Sequence, residues 1–160
     1  MYFQNTPSQN LFSTIAPDLQ GWKYFMSLKT FQITMGILAA IPFVSGLLGM
    51  LGVDDPLYKM IQITPEPLLD SNLRFFAGIW VAMGIAMWCI LPRIQWHAPV
   101  FRLIWGSIFL GGIGRVLSMA LIGMPPLPFV LFTVLEVIGA PLFIWWHKQI
   151  ARKYAVPATA

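Results

Sequence analysis

Four long apolar runs, at about Phe31–Leu51, Arg74–Leu91, Phe101–Met124 and Leu127–Trp146, constrain this chain more than any other feature. A helix crosses the hydrocarbon core of a bilayer with about 20 residues, and each run has that reach. Inside lipid every backbone N–H and C=O needs an internal partner, so a span is a helix or part of a closed barrel. The runs are continuous rather than alternating, which rules against a barrel. The expected fold class is therefore all-α, an integral membrane four-helix bundle. Composition agrees: 58% of the residues are hydrophobic and only 10% charged, against about 25% charged in soluble domains. Most of the surface must face something other than water.

The chain divides into a lead over residues 1–30, the four spans over 31–147, and a tail over 148–160. Leu19, Trp22, Phe25 and Met26 recur at helical spacing in the lead, and Pro17 suits a first helical turn. An amphipathic surface helix is expected over Pro17–Leu28. The first apolar run begins only near Phe31, so no cleavable signal peptide is expected.

Positive charge orients the spans. Lys23 and Lys29 precede span one, Arg93 and Arg102 join spans two and three, and Lys148, Arg152 and Lys153 follow span four. The other two connections carry Asp54, Asp55, Lys59, Glu66 and Asp70, or no charge at all. Both termini and the middle connection are expected in the cytoplasm. Trp22, Trp96, Trp145 and Trp146 fall at the same interface, where an apolar ring with a polar N–H is favoured. The first connection contains Pro56, Pro65 and Pro67, which oppose a long helix. It is partly apolar through Leu57, Tyr58, Met60, Ile61 and Ile63, so it is expected to lie on the outer membrane face as a lid or short helix.

Helices in lipid associate through small residues that allow close approach. Gly78, Ala82 and Ala86 in span two, Gly36, Ala40, Ser45 and Gly49 in span one, and Ser107, Gly111, Gly112, Gly114 and Ser118 in span three are the expected contacts. Pro42 and Pro141 stand inside spans one and four, where proline kinks helices.

Charge inside a span is costly and marks a candidate site. Arg115 lies in the second half of span three and Glu136 near the middle of span four. At about 1.5 Å per residue, both sit roughly 12–14 Å below the outer surface. An Arg115–Glu136 ion pair is expected, with Asn72, Arg74 and Asp54 converging on the same outer polar site. Two readings stand beside each other. The pair can fix helix register. Alternatively, Arg74 and Arg115 can receive an anionic or amphiphilic ligand, with Glu136 as a hydrogen-bonding or proton-linked group.

Other chemistry lacks residues to perform it. His97 and His147 are isolated near span ends, so no metal or haem site is expected, and no cofactor. His147 reads as an interfacial residue. There is no nucleophile elbow, phosphate loop or dinucleotide fingerprint. The formal net charge of +4 comes from residues flanking apolar runs, not a basic stripe, which excludes nucleic acid as a partner. The one cysteine, Cys89, has no internal partner for a disulfide.

The stretch Asn72–Gly84, N-L-R-F-F-A-G-I-W-V-A-M-G, resembles the second helix of a bacterial family of small four-helix membrane proteins, the domain of unknown function DUF4345. The stretch from Gly111, G-G-I-G-R-V-L-S-M-A-L-I-G-M-P, resembles its third helix, and Glu136 falls where that family places a helix-four glutamate. The resemblance covers about residues 30–147. It implies the fold and a bacterial inner-membrane location, and no activity. The expected role is binding of a lipophilic or anionic ligand, or service as accessory subunit to a membrane-protein partner. The alternatives are a transporter or channel component as a homo-oligomer, and an enzyme acting on lipid or quinone. The bilayer is the first partner in every case.

Overall fold

The computed structural model describes residues 27–62 and 64–154. Most of the expected surface helix of the lead, Ile63 and the end of the tail lie outside the described residues. The elements are α1 (Leu28–Gly49), a 3-10 turn (Gly52–Asp54), α2 (Pro56–Lys59), α3 (Pro67–Ile90), a 3-10 segment (Leu91–Trp96), α4 (Ala98–Leu121) and α5 (Leu127–Tyr154). No strand occurs among the described residues. The four long helices have the length and apolar composition of membrane spans. Large apolar side chains point away from the protein along all four, among them Ile37, Phe75, Leu110 and Leu131.

Local chemistry sets the helix limits. Ser27 caps α1, its Oγ accepting from Thr30 N at 3.0 Å. Helix α3 starts at Pro67, well before the expected Arg74. Glu66 accepts from Leu69 N at 2.8 Å, and Pro67 occupies the first helical position, where a missing N–H costs nothing. Pro67 therefore opens the second span instead of interrupting the connection. In the same way Asp55 caps α2 by accepting from Leu57 N at 2.9 Å, ahead of Pro56. The chain turns at Gly52 and Gly123, both with positive φ, +66° and +130°, where glycine lacks the Cβ that would be strained.

Close approach occurs at fewer small residues than expected, and in span two at different ones. A Cβ on Gly46 would stand 2.8 Å from Val81 N and 2.9 Å from Ala77 O, and one on Gly84 would stand 2.9 Å from Ala39 O. Helices α1 and α3 thus touch backbone to backbone along Ala39, Gly46, Ala77 and Gly84, not along the Gly78–Ala82–Ala86 face. Gly112 alone among the glycines of α4 meets a neighbour; Gly106, Gly111 and Gly114 face open space.

The densest packing lies at the end of the bundle that holds both the start of α1 and the end of α5. Phe31, Phe101 and His147 are fully buried there. Phe101 stacks on His147 with ring centres 4.3 Å apart, and Phe31 meets Trp146 edge-on at 4.9 Å. His147 Nε2 donates to Ile94 O at 2.8 Å, tying α5 to the segment that joins α3 and α4. Gln32 Nε2 adds a donation to Leu91 O at 2.9 Å. His147 and Trp146 are therefore packed in the core of the bundle. Trp96 and Trp145 stay exposed.

Candidate functional site

Helix α5 carries a π-turn at Leu135–Gly139. Pro141 has no N–H to return to the Val137 carbonyl, and its ring crowds that carbonyl, so the preceding turn widens. Glu136 stands in this widened turn and is buried. Opposite it, α4 presents Gly112. A Cβ there would come within 2.8 Å of Glu136 Cβ and 2.9 Å of Val137 Cγ2. The missing side chain lets α4 and α5 close together, and Arg115 follows three residues later on the same face of α4.

This places Arg115 Nε 3.0 Å from Glu136 Oε2. The carboxylate side is 8% exposed and the guanidinium side 40%. No hydrogen bond completes the contact at Oε2, so it is an ion pair without aligned donors. The guanidinium carbon also sits 5.8 Å from the centre of the Phe129 ring, within cation–π range. Tyr58 of α2 stacks on Phe129, centres 6.4 Å apart and planes at 29°. The short helix of the first connection thereby covers the approach to the pair. Burial pushes the Tyr58 phenol above its ordinary value, and the Asp55 carboxylate pushes the same way.

Below the pair, between the helices, lies a cavity of about 40 Å³. Its walls include Met35, Met83, Met87, Trp80, Trp105 and Glu136. Trp80 Nε1 is satisfied, donating to Ser45 Oγ at 2.8 Å. Trp105 Nε1 is buried without a hydrogen-bond partner, and Glu136 Oε2 is held by its ion pair with Arg115. One unmet donor and one ion-paired carboxylate thus belong to residues that line the same apolar space. Buried polar groups without partners are uncommon and call for an explanation.

The remaining residues expected at this site are elsewhere. Arg74 donates from Nε to Asp70 Oδ2 at 2.7 Å, from Nη1 to Met50 O at 2.6 Å and from Nη2 to Leu51 O at 3.0 Å. Asp70 Oδ1 in turn accepts from Val53 N at 3.0 Å. Arg74 and Asp70 therefore clamp the chain where it leaves α1, at the Met50 and Leu51 carbonyls. Asp54 pairs with Lys59 at 3.3 Å on the surface, and Asn72 is exposed. By these contacts Arg74 belongs to an end clamp, and Arg115 to its pair with Glu136. Phe129, Tyr58 and Trp105 carry no mark in the sequence that sets them apart from other membrane aromatics. Pro141, five residues after Glu136, was the one available sign of a distorted turn. Among the described residues no three His, Cys, Asp or Glu side chains group as metal ligands.

Four apolar helices of spanning length, with a buried ion pair between the last two, define a small polytopic membrane protein. The chain matches the family described as Domain of unknown function (DUF4345) over residues 30–147, most of its length, and it belongs to that family. No curated protein and no solved structure matches it.

Proposed function

We propose that the protein binds an amphiphilic molecule drawn from the bilayer. The polar group of that molecule meets Glu136 and Arg115, and its apolar body lies among Met35, Met83, Met87 and Trp105. The observation that carries this reading is the unpartnered Trp105 Nε1, on a residue that lines the same interhelix cavity as the ion-paired Glu136. At about 40 Å³ the space holds little more than a water. Its methionines are the side chains best suited to give way, being unbranched and flexible. The distribution of lysine and arginine supports a setting in which both termini face the cytoplasm. The family resemblance supports a bacterial inner membrane.

The test is native mass spectrometry of the full chain from mild detergent. A small-molecule adduct at one per chain is expected in the wild type, and weaker retention in Glu136→Gln and in Trp105→Phe. Equal retention in all three, or no adduct in any, overturns the reading.

A further inference from the structure

A second concavity lies on the outer face between α4 and α5, away from the central cavity. It is a groove of about 410 Å³ lined by Gly106, Phe109, Pro141, Ile144, Trp145 and Lys148. Its depth has a simple origin. Gly106 has no side chain, and a Cβ there would meet nothing within 4 Å; Pro141 on the facing helix is compact. The floor is apolar. At one end stand Trp145 and the exposed Lys148.

Charge gathers at that same end. Arg102 lies four residues before Gly106 and Arg152 four residues after Lys148, so each continues the face of its helix that lines the groove. All three basic side chains are exposed. Among the described residues every Asp and Glu lies in the first connection, in the first turn of α3 or at Glu136, so no acid neutralises this end. The distance from Arg102 to Phe109 along α4 is about 10 Å, enough for the glycerol region and the upper part of an acyl chain.

We propose that this groove seats one anionic phospholipid of the surrounding leaflet, its phosphate among Arg102, Lys148 and Arg152 and one acyl chain over Gly106. Basic pockets between spanning helices hold anionic head groups in this way. The site shares no residue with the central cavity and does not depend on the function proposed above.

The test offers the full chain, purified in mild detergent, equimolar phosphatidylglycerol and phosphatidylcholine, and reads the retained lipid by native mass spectrometry. One phosphatidylglycerol per chain is expected, preferred by about five-fold or more. The triple variant Arg102→Gln, Lys148→Gln, Arg152→Gln loses the preference. Gly106→Leu keeps every charge, places a side chain in the groove from a position whose Cβ meets nothing, and loses the retained molecule. Preference that survives the triple variant overturns the proposal. So does retention that survives Gly106→Leu, which assigns the lipid to diffuse surface charge. Loss in Glu136→Gln with no effect of the groove variants also overturns it, because the lipid then sits in the central cavity.

Discussion

Glu136 rests against Gly112: no Cβ stands between the two helices there, and one added to Gly112 would come within 2.8 Å of Glu136 Cβ. That contact brings α4 close enough for Arg115 to reach the carboxylate from its own helix. The charge pair and the helix packing are one arrangement, so each tests the other.

Gly112→Ala is expected to destabilise the bundle by about 1–3 kcal/mol, the usual cost of overpacking, because both Glu136 and Val137 would have to move. Gly111→Ala and Gly114→Ala, whose added Cβ atoms meet nothing, are expected to be neutral or stabilising by up to about 1 kcal/mol through helix propensity. Thermal unfolding in detergent, followed by circular dichroism, distinguishes the three. Equal behaviour at all three positions would show that Gly112 is not a contact.

Arg115→Met leaves Glu136 buried without its cation. The expected loss is about 2–3 kcal/mol, below the full cost of breaking a buried pair because the guanidinium is partly solvated. Adding Glu136→Gln to Arg115→Met is expected to recover much of that loss. A double-mutant cycle on unfolding in detergent measures the coupling. If the two losses add, the pair does not act as a unit.

Arg74→Gln removes charge-assisted donations to Met50 O, Leu51 O and Asp70. A modest loss of stability is expected, because the site is exposed. Hydrogen exchange is expected to quicken at the end of α1 and to stay unchanged in α4 and α5. Ligand retention is expected to stay at the wild-type level, since Arg74 is engaged by Asp70 and the Met50 and Leu51 carbonyls.

Tyr58 supplies a pH test outside the spans. Its phenol is lifted above the ordinary 10.0 by burial first and by Asp55 second. A raised folded value means that the unfolded chain loses this proton first. The contribution of Tyr58 is therefore complete below about pH 10 and falls as pH rises through its higher folded value. The loosening of α2 from Phe129 is expected in that alkaline window, read by ultraviolet titration of tyrosinate. Tyr58→Phe keeps the ring stack and is expected to abolish that part of the pH dependence.

Burial by lipid is written directly into composition, which is why the four spans could be read without coordinates. A run of apolar residues has few alternatives to a helix in a bilayer, whatever its neighbours do. The depth match of Arg115 and Glu136 was also legible, because it needs only a constant rise per residue and a short connection between antiparallel helices. The faces that pack were not legible. Small residues lie on several faces of each helix, and the choice of Ala77 and Gly84 over Gly78, Ala82 and Ala86 is a rotation of α3 that only its fit to α1 selects. Arg74 shows the same limit: it reads as a free cation, yet the carbonyls that occupy it belong to a helix end more than twenty residues away.

By itself, the sequence determined the class of protein, the number of spans and the pairing of the buried charges, because these follow from transfer to hydrocarbon and from helix geometry. Only the tertiary structure decided that Arg74 clamps the end of α1, that His147 is core, and that Glu136 and Trp105 line one cavity in which the Trp105 N–H has no partner. Those outcomes depend on which faces meet, and in a membrane apolar side chains suit lipid and protein alike, so hydrophobicity cannot choose among them.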